Sequence, residues 1–124
     1  MDCSSKECNC PVRITLELIG GKYKALILWQ LVDGALRFGE LHRLIPQATP
    51  KMLTQQLREL EEANLVIRTV YPVVPPKVEY GLSELGASIR PILTTMYDWG
   101  AKYLESNGKE VNCSMSAHAL REGE

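Results

Sequence analysis

At 124 residues and 13.9 kDa the chain is long enough for one domain with its own core and too short for two. Hydrophobic residues make up 45% and charged residues 23%, which excludes a fibrous or highly charged, disordered protein. The 14 basic and 15 acidic residues give a formal charge of −1, so the overall basic balance of a nucleic-acid binder is missing. Charge location still matters: after Tyr103 only Lys109 and Arg121 oppose Glu105, Glu110, Glu122 and Glu124, an acidic end that can mask a basic face elsewhere.

The N-terminus carries Asp2 and Glu7 and no apolar run, so no signal or transit peptide is expected. No stretch approaches the roughly 20 apolar residues of a membrane span, and a cytoplasmic protein without a membrane partner is expected. Cys3, Cys8, Cys10 and Cys113 are then expected to be reduced, with no disulfide framework. Residues 1–9 read as a polar, cysteine-containing arm, followed by one domain over 10–105. Pro11 suits the first position of a helix whose stripe is Val12, Leu16 and Ile19, and Gly20-Gly21 should stop it. A second helix, Lys22 to Val32, has little polar surface after its first turn and should be buried. Asp33-Gly34 closes it as a turn.

A third, short helix is expected from Arg37 to Leu44, ended by Pro46, and Thr49 is the natural cap of a fourth, with Pro50 in its first position. Two helices joined so tightly form a helix-turn-helix. Leu53, Leu57 and Leu60 repeat at helical spacing, which places Lys51, Thr54, Gln55 and Arg58 on the opposite, solvent-facing arc. Glu59, Glu61 and Glu62 crowd the last turns against the helix dipole, so the helix has a donor-rich first half and an acidic end. Glu61 and Glu62 should point away from phosphates if the first half enters a DNA groove. Val66 to Tyr71 and Lys77 to Tyr80 then read as two strands around the tip Pro72-Val73-Val74-Pro75-Pro76, a wing. From Ser83 a last helix should run to about residue 105, kinked at Pro91. Its apolar surface exceeds what a small core can cover, and dimerisation is the expected use of helix 83–105. Residues 106–124 read as a polar tail with a short helix at Ser116 to Arg121.

The expected fold is therefore mainly α with a small β-hairpin: a winged helix-turn-helix DNA-binding domain with a terminal dimerisation helix. Cys10-Pro11-Val12, Leu18-Ile19-Gly20-Gly21-Lys22-Tyr23-Lys24, Leu36-Arg37-Phe38-Gly39-Glu40-Leu41, Met52 to Glu61, Arg68 to Pro72, Pro75 to Tyr80 and Leu82 to Gly86 stand in this order. Together they resemble the HxlR family of bacterial transcriptional regulators over about residues 10–104. The resemblance implies a homodimer that binds a palindromic operator, an inverted repeat in promoter DNA, and activates or represses a neighbouring gene. It also implies that a cysteine at the place of Cys10 can respond to oxidants or electrophiles, with an oxidant or small molecule as effector. Tyr23 departs from the tryptophan often found there, and Val73-Val74 make a more apolar wing tip than the family's usual one.

For Lys51, Thr54, Gln55 and Arg58 a solvated helix face competes with base and phosphate contact. The helix-turn-helix and wing favour contact, with Gln55 and Arg58 offering paired donors to base edges, Lys51 and Thr54 placed for phosphates, and Thr49 a further DNA-binding residue. Arg37, Arg43, Arg68 and Lys77 are further phosphate candidates. The dimerisation surface is expected from Val12, Leu16, Ile89, Ile92, Leu93, Met96, Trp99 and Tyr103. Cys10 is either a small buried hydrophobe or a thiol activated by the start of a helix. Cys3, Cys8 and Cys10 lack the paired short spacings of a zinc site, so no metal or other cofactor is expected. His42 and His118 stand apart from any triad and the acids are scattered, so no enzyme is expected. A winged helix that binds proteins rather than specific DNA sequences is the alternative.

Overall fold

A computed structural model of the protein describes residues 10–111. The expected N-terminal arm, Cys3, Cys8, Cys113 and the short helix at 116–121 lie outside the described residues. Cys10, in extended backbone, precedes α1 (Pro11–Ile19), whose proline occupies the position where no N–H is needed. The second helix, α2 (Lys24–Gln30), starts two residues later than expected and tightens into a 3-10 turn over Leu31–Asp33. Gly34 ends it at φ 140°, a conformation that favours glycine, and its N–H donates to the Leu31 carbonyl at 3.1 Å. Then come α3 (Phe38–Leu44) and α4 (Pro50–Glu62), followed by β1 (Val66–Tyr71) and β2 (Lys77–Leu82).

The strands pair antiparallel from Val66 with Leu82 to Tyr71 with Lys77, the expected wing. Leu36 adds a fragment of a third strand: its N–H donates to Tyr80 at 2.9 Å, and the Tyr80 N–H donates back at 2.8 Å. Sequence periodicity missed this bridge because one paired residue has no period.

The expected single kinked helix after the wing is two helices, α5 (Glu84–Ala87) and α6 (Arg90–Ser106). Ser83 caps α5 by accepting from the Gly86 N–H at 2.9 Å. Pro91 has no N–H to continue that helix and instead falls in the first turn of α6, so the chain restarts rather than bends. The core gathers α2, α4 and α6 around Trp29, Ile27, Leu28, Leu53, Leu57 and Leu60. It also takes Leu93, fully buried, and Ile89, 9% exposed. Both were expected at a dimer surface. Both pack inward within one chain, so the expectation is corrected for these two. Val12, Leu16, Ile92, Met96, Trp99 and Tyr103 remain exposed.

Candidate nucleic-acid interface

The geometry of α4 is set at both ends. Thr49 Oγ1 accepts from the Met52 N–H at 3.1 Å, the cap its sequence promises. The turn before it is held from two sides. Tyr23 Oη donates to the Gln47 carbonyl at 3.1 Å. The His42 ring Nε2 lies 3.0 Å from the Ala48 carbonyl. Ile45 and Ala48 are buried beneath this turn, so the angle between α3 and α4 is fixed by packing as well as by hydrogen bonds.

A second clamp ties α4 to the start of α2. Gln56 Oε1 accepts from the Tyr23 N–H at 3.2 Å, while its Nε2 donates to Glu59 at 3.0 Å. Glu59 also pairs with Lys24 at 3.5 Å. Sequence reasoning singled out none of Tyr23, Lys24, His42, Gln56 or Glu59 as positioning residues. One signal was available. Residue 56 falls in the inward stripe 53, 56, 57, 60, and a glutamine there needs a partner.

With α4 so placed, Lys51, Gln55 and Arg58 are exposed and Thr54 half-buried on its outer face. Lys51, Thr54, Gln55 and Arg58 line one side of an open cleft with Phe38 and Pro50. A second cleft continues from Thr54 and Arg58 to Arg68 and Tyr80 on the wing. The fold thus sets four of the expected contacts of α4 along one cleft and links two of them, Thr54 and Arg58, to Arg68 in the next.

Other expected contacts lie elsewhere or are partly engaged. Alternation along the hairpin puts Arg68 and Tyr80 on the face toward α4 and Lys77 and Glu79 on the other. Lys77 is paired with Glu79 at 3.4 Å and lies 5.2 Å from the centre of the Tyr71 ring, so it does not join the cleft. The Tyr71 hydroxyl is itself bound to Glu79, and that hydrogen bond and the negative charge hold its pKa above the ordinary value. Arg37, just before α3, and Arg43 on it are exposed and line neither cleft. Thr54 Oγ1 donates to the Pro50 carbonyl at 2.8 Å, which uses its only hydrogen inside its own helix. Glu61 lines the second cleft beside Arg58 and Arg68, contrary to the expectation that it points away. Seven residues separate Thr54 from Glu61, two turns that return to the same face.

A model of the HxlR-like helix-turn-helix family matches residues 18–108. The chain belongs to that family. It is therefore a helix-turn-helix transcriptional regulator, in a family of regulators rather than of enzymes. The HTH-type transcriptional regulator YdeP of Bacillus subtilis is 52% identical over 95 residues, 77% of this chain and 74% of that one. Among solved structures, the redox regulator HypR in its reduced form is 48% identical with a TM-score of 0.74, over 78% of this chain and 99% of that chain. The reduced form of the transcriptional regulator YodB from B. subtilis is 35% identical with a TM-score of 0.70, over 80% and 98%. The HxlR-family winged helix is thus the fold of this chain. Among the described residues no helix is long and apolar enough to cross a membrane, and no cluster of His, Cys, Asp and Glu could hold a metal ion.

Proposed function

We propose that this HxlR-family regulator acts as a homodimer that binds an inverted repeat in double-stranded DNA. The observation that carries the reading is the pair of adjoining clefts that share Thr54 and Arg58, one lined by exposed Lys51 and Gln55 and the other reaching Arg68 on the wing. Gln55 and Arg58 read base edges, and Lys51, Thr49 and Arg68 position the helix through phosphates. Arg37 and Arg43, exposed outside the two clefts, are further phosphate contacts in this reading. Residues 10–105 form the working unit.

The homodimer draws support from α6. Ile92, Met96, Trp99 and Tyr103 follow one another at intervals of four, three and four residues, the spacing of a two-helix seam. All four are exposed, Trp99 by 69% and Tyr103 by 57%, and the last two rings stack with centroids 5.6 Å apart. Val12 and Leu16 on α1 add a second exposed apolar strip. Two symmetric α4 helices would then read half-sites about 34–36 Å apart or a multiple of that.

Selection of bound sequences from a random duplex pool tests the reading. A palindromic motif is expected. Arg58→Ala should weaken binding to that motif by about 1–3 kcal/mol, roughly five- to 150-fold. Lys51→Ala should instead weaken all duplexes alike and lower the salt slope by about 1. No motif, no salt slope and no effect of either substitution would leave only the protein-binding winged helix.

A second reading concerns control. Cys10 occupies the position just before α1, is partly buried, and lies two residues before Val12 of the apolar strip. HypR, a redox regulator by name, is 48% identical. We propose that a peroxide-class oxidant converts the Cys10 thiolate to a sulfenic acid, the peroxide being reduced. A second thiol, Cys10 of the other subunit or Cys3, Cys8 or Cys113, then condenses with it to a disulfide and water. Mild peroxide should change operator affinity in the wild type and leave Cys10→Ser unaffected. Equal responses of the two proteins would exclude Cys10 as the sensor.

A further inference from the structure

Between α2 and α6 lies a cavity of about 250 Å³, half open to solvent, that the DNA-reading surface does not use. It is lined by the small residues Ala25, Gly100 and Ala101 together with the larger Leu26, Leu93, Tyr97 and Leu104. An alanine and a glycine where neighbouring turns carry leucine leave a hollow rather than a packed joint. A Cβ placed on Gly100 would meet nothing within 4 Å. Gly108, at φ 70°, reverses the chain after α6, and Val111 returns to close one side.

We propose that this cavity binds a small, uncharged, apolar molecule, of the size of a fused two-ring or substituted one-ring aromatic. No charged side chain lines it among the described residues, so an ion entering would lose its hydration without a counter-charge. Size agrees, since a cavity of about 150 Å³ holds benzene. A second copy is the competing occupant. At about 100° per residue, the stripe of Ile92, Met96, Trp99 and Tyr103 is centred about 100° away from the face that carries Leu93, Tyr97, Gly100 and Leu104. Helix pairing along that stripe therefore leaves the cavity beside the seam rather than beneath it. Met96 borders both.

Occupancy has a route to α4. Ala25 and Leu26 directly follow Tyr23 and Lys24, whose bonds to Gln56 and Glu59 hold that helix. A guest that displaces the start of α2, or tilts α6 through Met96, changes the separation of two α4 helices. This coupling rests on the reading of α4 as the DNA-contacting helix.

Naphthalene, with 2-naphthoate as its charged counterpart, is the probe for the full-length protein, followed by calorimetry and by the Met96 methyl resonance. Naphthalene should bind the wild type once per chain and shift that resonance, and 2-naphthoate should bind at least tenfold more weakly. Gly100→Leu, which fills the open space, should weaken naphthalene at least tenfold while the molecular mass in solution stays unchanged. Absence of naphthalene binding, or equal binding by both proteins, overturns the site. A change of mass in Gly100→Leu overturns it in favour of a second copy filling the cavity. Saturating naphthalene should alter wild-type operator affinity at least threefold and leave that of Gly100→Leu unaltered; no change in the wild type overturns the coupling. If naphthalene binds and no operator is recognised at all, the reading of α4 fails while the ligand site stands.

Discussion

Gly86→Ala should destabilise the protein by about 3 kcal/mol or more, one of the largest effects of any single methyl group in this chain. Gly86 sits in α5 directly over the base of the wing. A Cβ there would run into the carbonyl oxygen of Leu65, with the Leu65 carbonyl carbon 3.0 Å and Leu82 Cδ2 3.3 Å away. Backbone cannot turn aside as a side chain can. The contact can be relieved only by lifting α5 off the strand, and that junction is tightly bonded. The Ser83 N–H donates to the Leu65 carbonyl at 3.1 Å, and Ser83 Oγ donates to the Asn64 carbonyl at 2.6 Å. Asn64 itself occupies the left-handed region at φ 64°, where asparagine is better tolerated than most residues. Urea unfolding at fixed protein concentration should show a lower midpoint with an unchanged slope. A loss under about 1 kcal/mol would mean that α5 moves freely over the wing.

Trp99→Glu combined with Tyr103→Glu should separate the proposed dimer while each chain stays folded. Both rings are exposed, so the substitutions remove no core contact. Placed on facing helices, the four added carboxylates would repel one another across the seam. A monomer keeps its cleft but loses the second half-site, whose binding is intramolecular in the dimer. Operator affinity should therefore fall by about 10²–10⁴-fold, the usual gain from linking two sites. Sedimentation equilibrium and titration of a labelled operator measure both quantities. A double variant that remains dimeric would remove α6 from the interface. One that becomes monomeric yet binds the full operator unchanged would show that half-sites are read independently.

Much of this was legible in advance, because local rules decide it. Thr49-Pro50 states a helix start, Leu53, Leu57 and Leu60 state its inner face, and the outer arc of Lys51, Thr54, Gln55 and Arg58 follows by elimination. The wing was legible from its β-branched runs and prolines. The misreadings share a cause. On α6 two apolar stripes lie side by side, and spacing cannot say which one faces α2. Ile89 and Leu93 were therefore grouped with residues that remain exposed. Lys77 and Arg68 looked alike until strand register put them on opposite faces, and Glu79 engaged one of them.

What the sequence determined by itself was the order and type of the elements, the direction of α4 and the chemistry on its outer face. These depend on caps, on 3.6-residue periodicity and on proline, all of which act within a few residues. The tertiary structure alone decided three things. It joined α4 to Arg68 in one cleft and turned Glu61 into it, and it hid Leu93 while leaving Trp99 bare. It also clamped the helix by pairing Tyr23 with Gln56 and Lys24 with Glu59, residues up to 35 positions apart. Contacts at such separation depend on how whole helices cross, and no local pattern of residues records that angle.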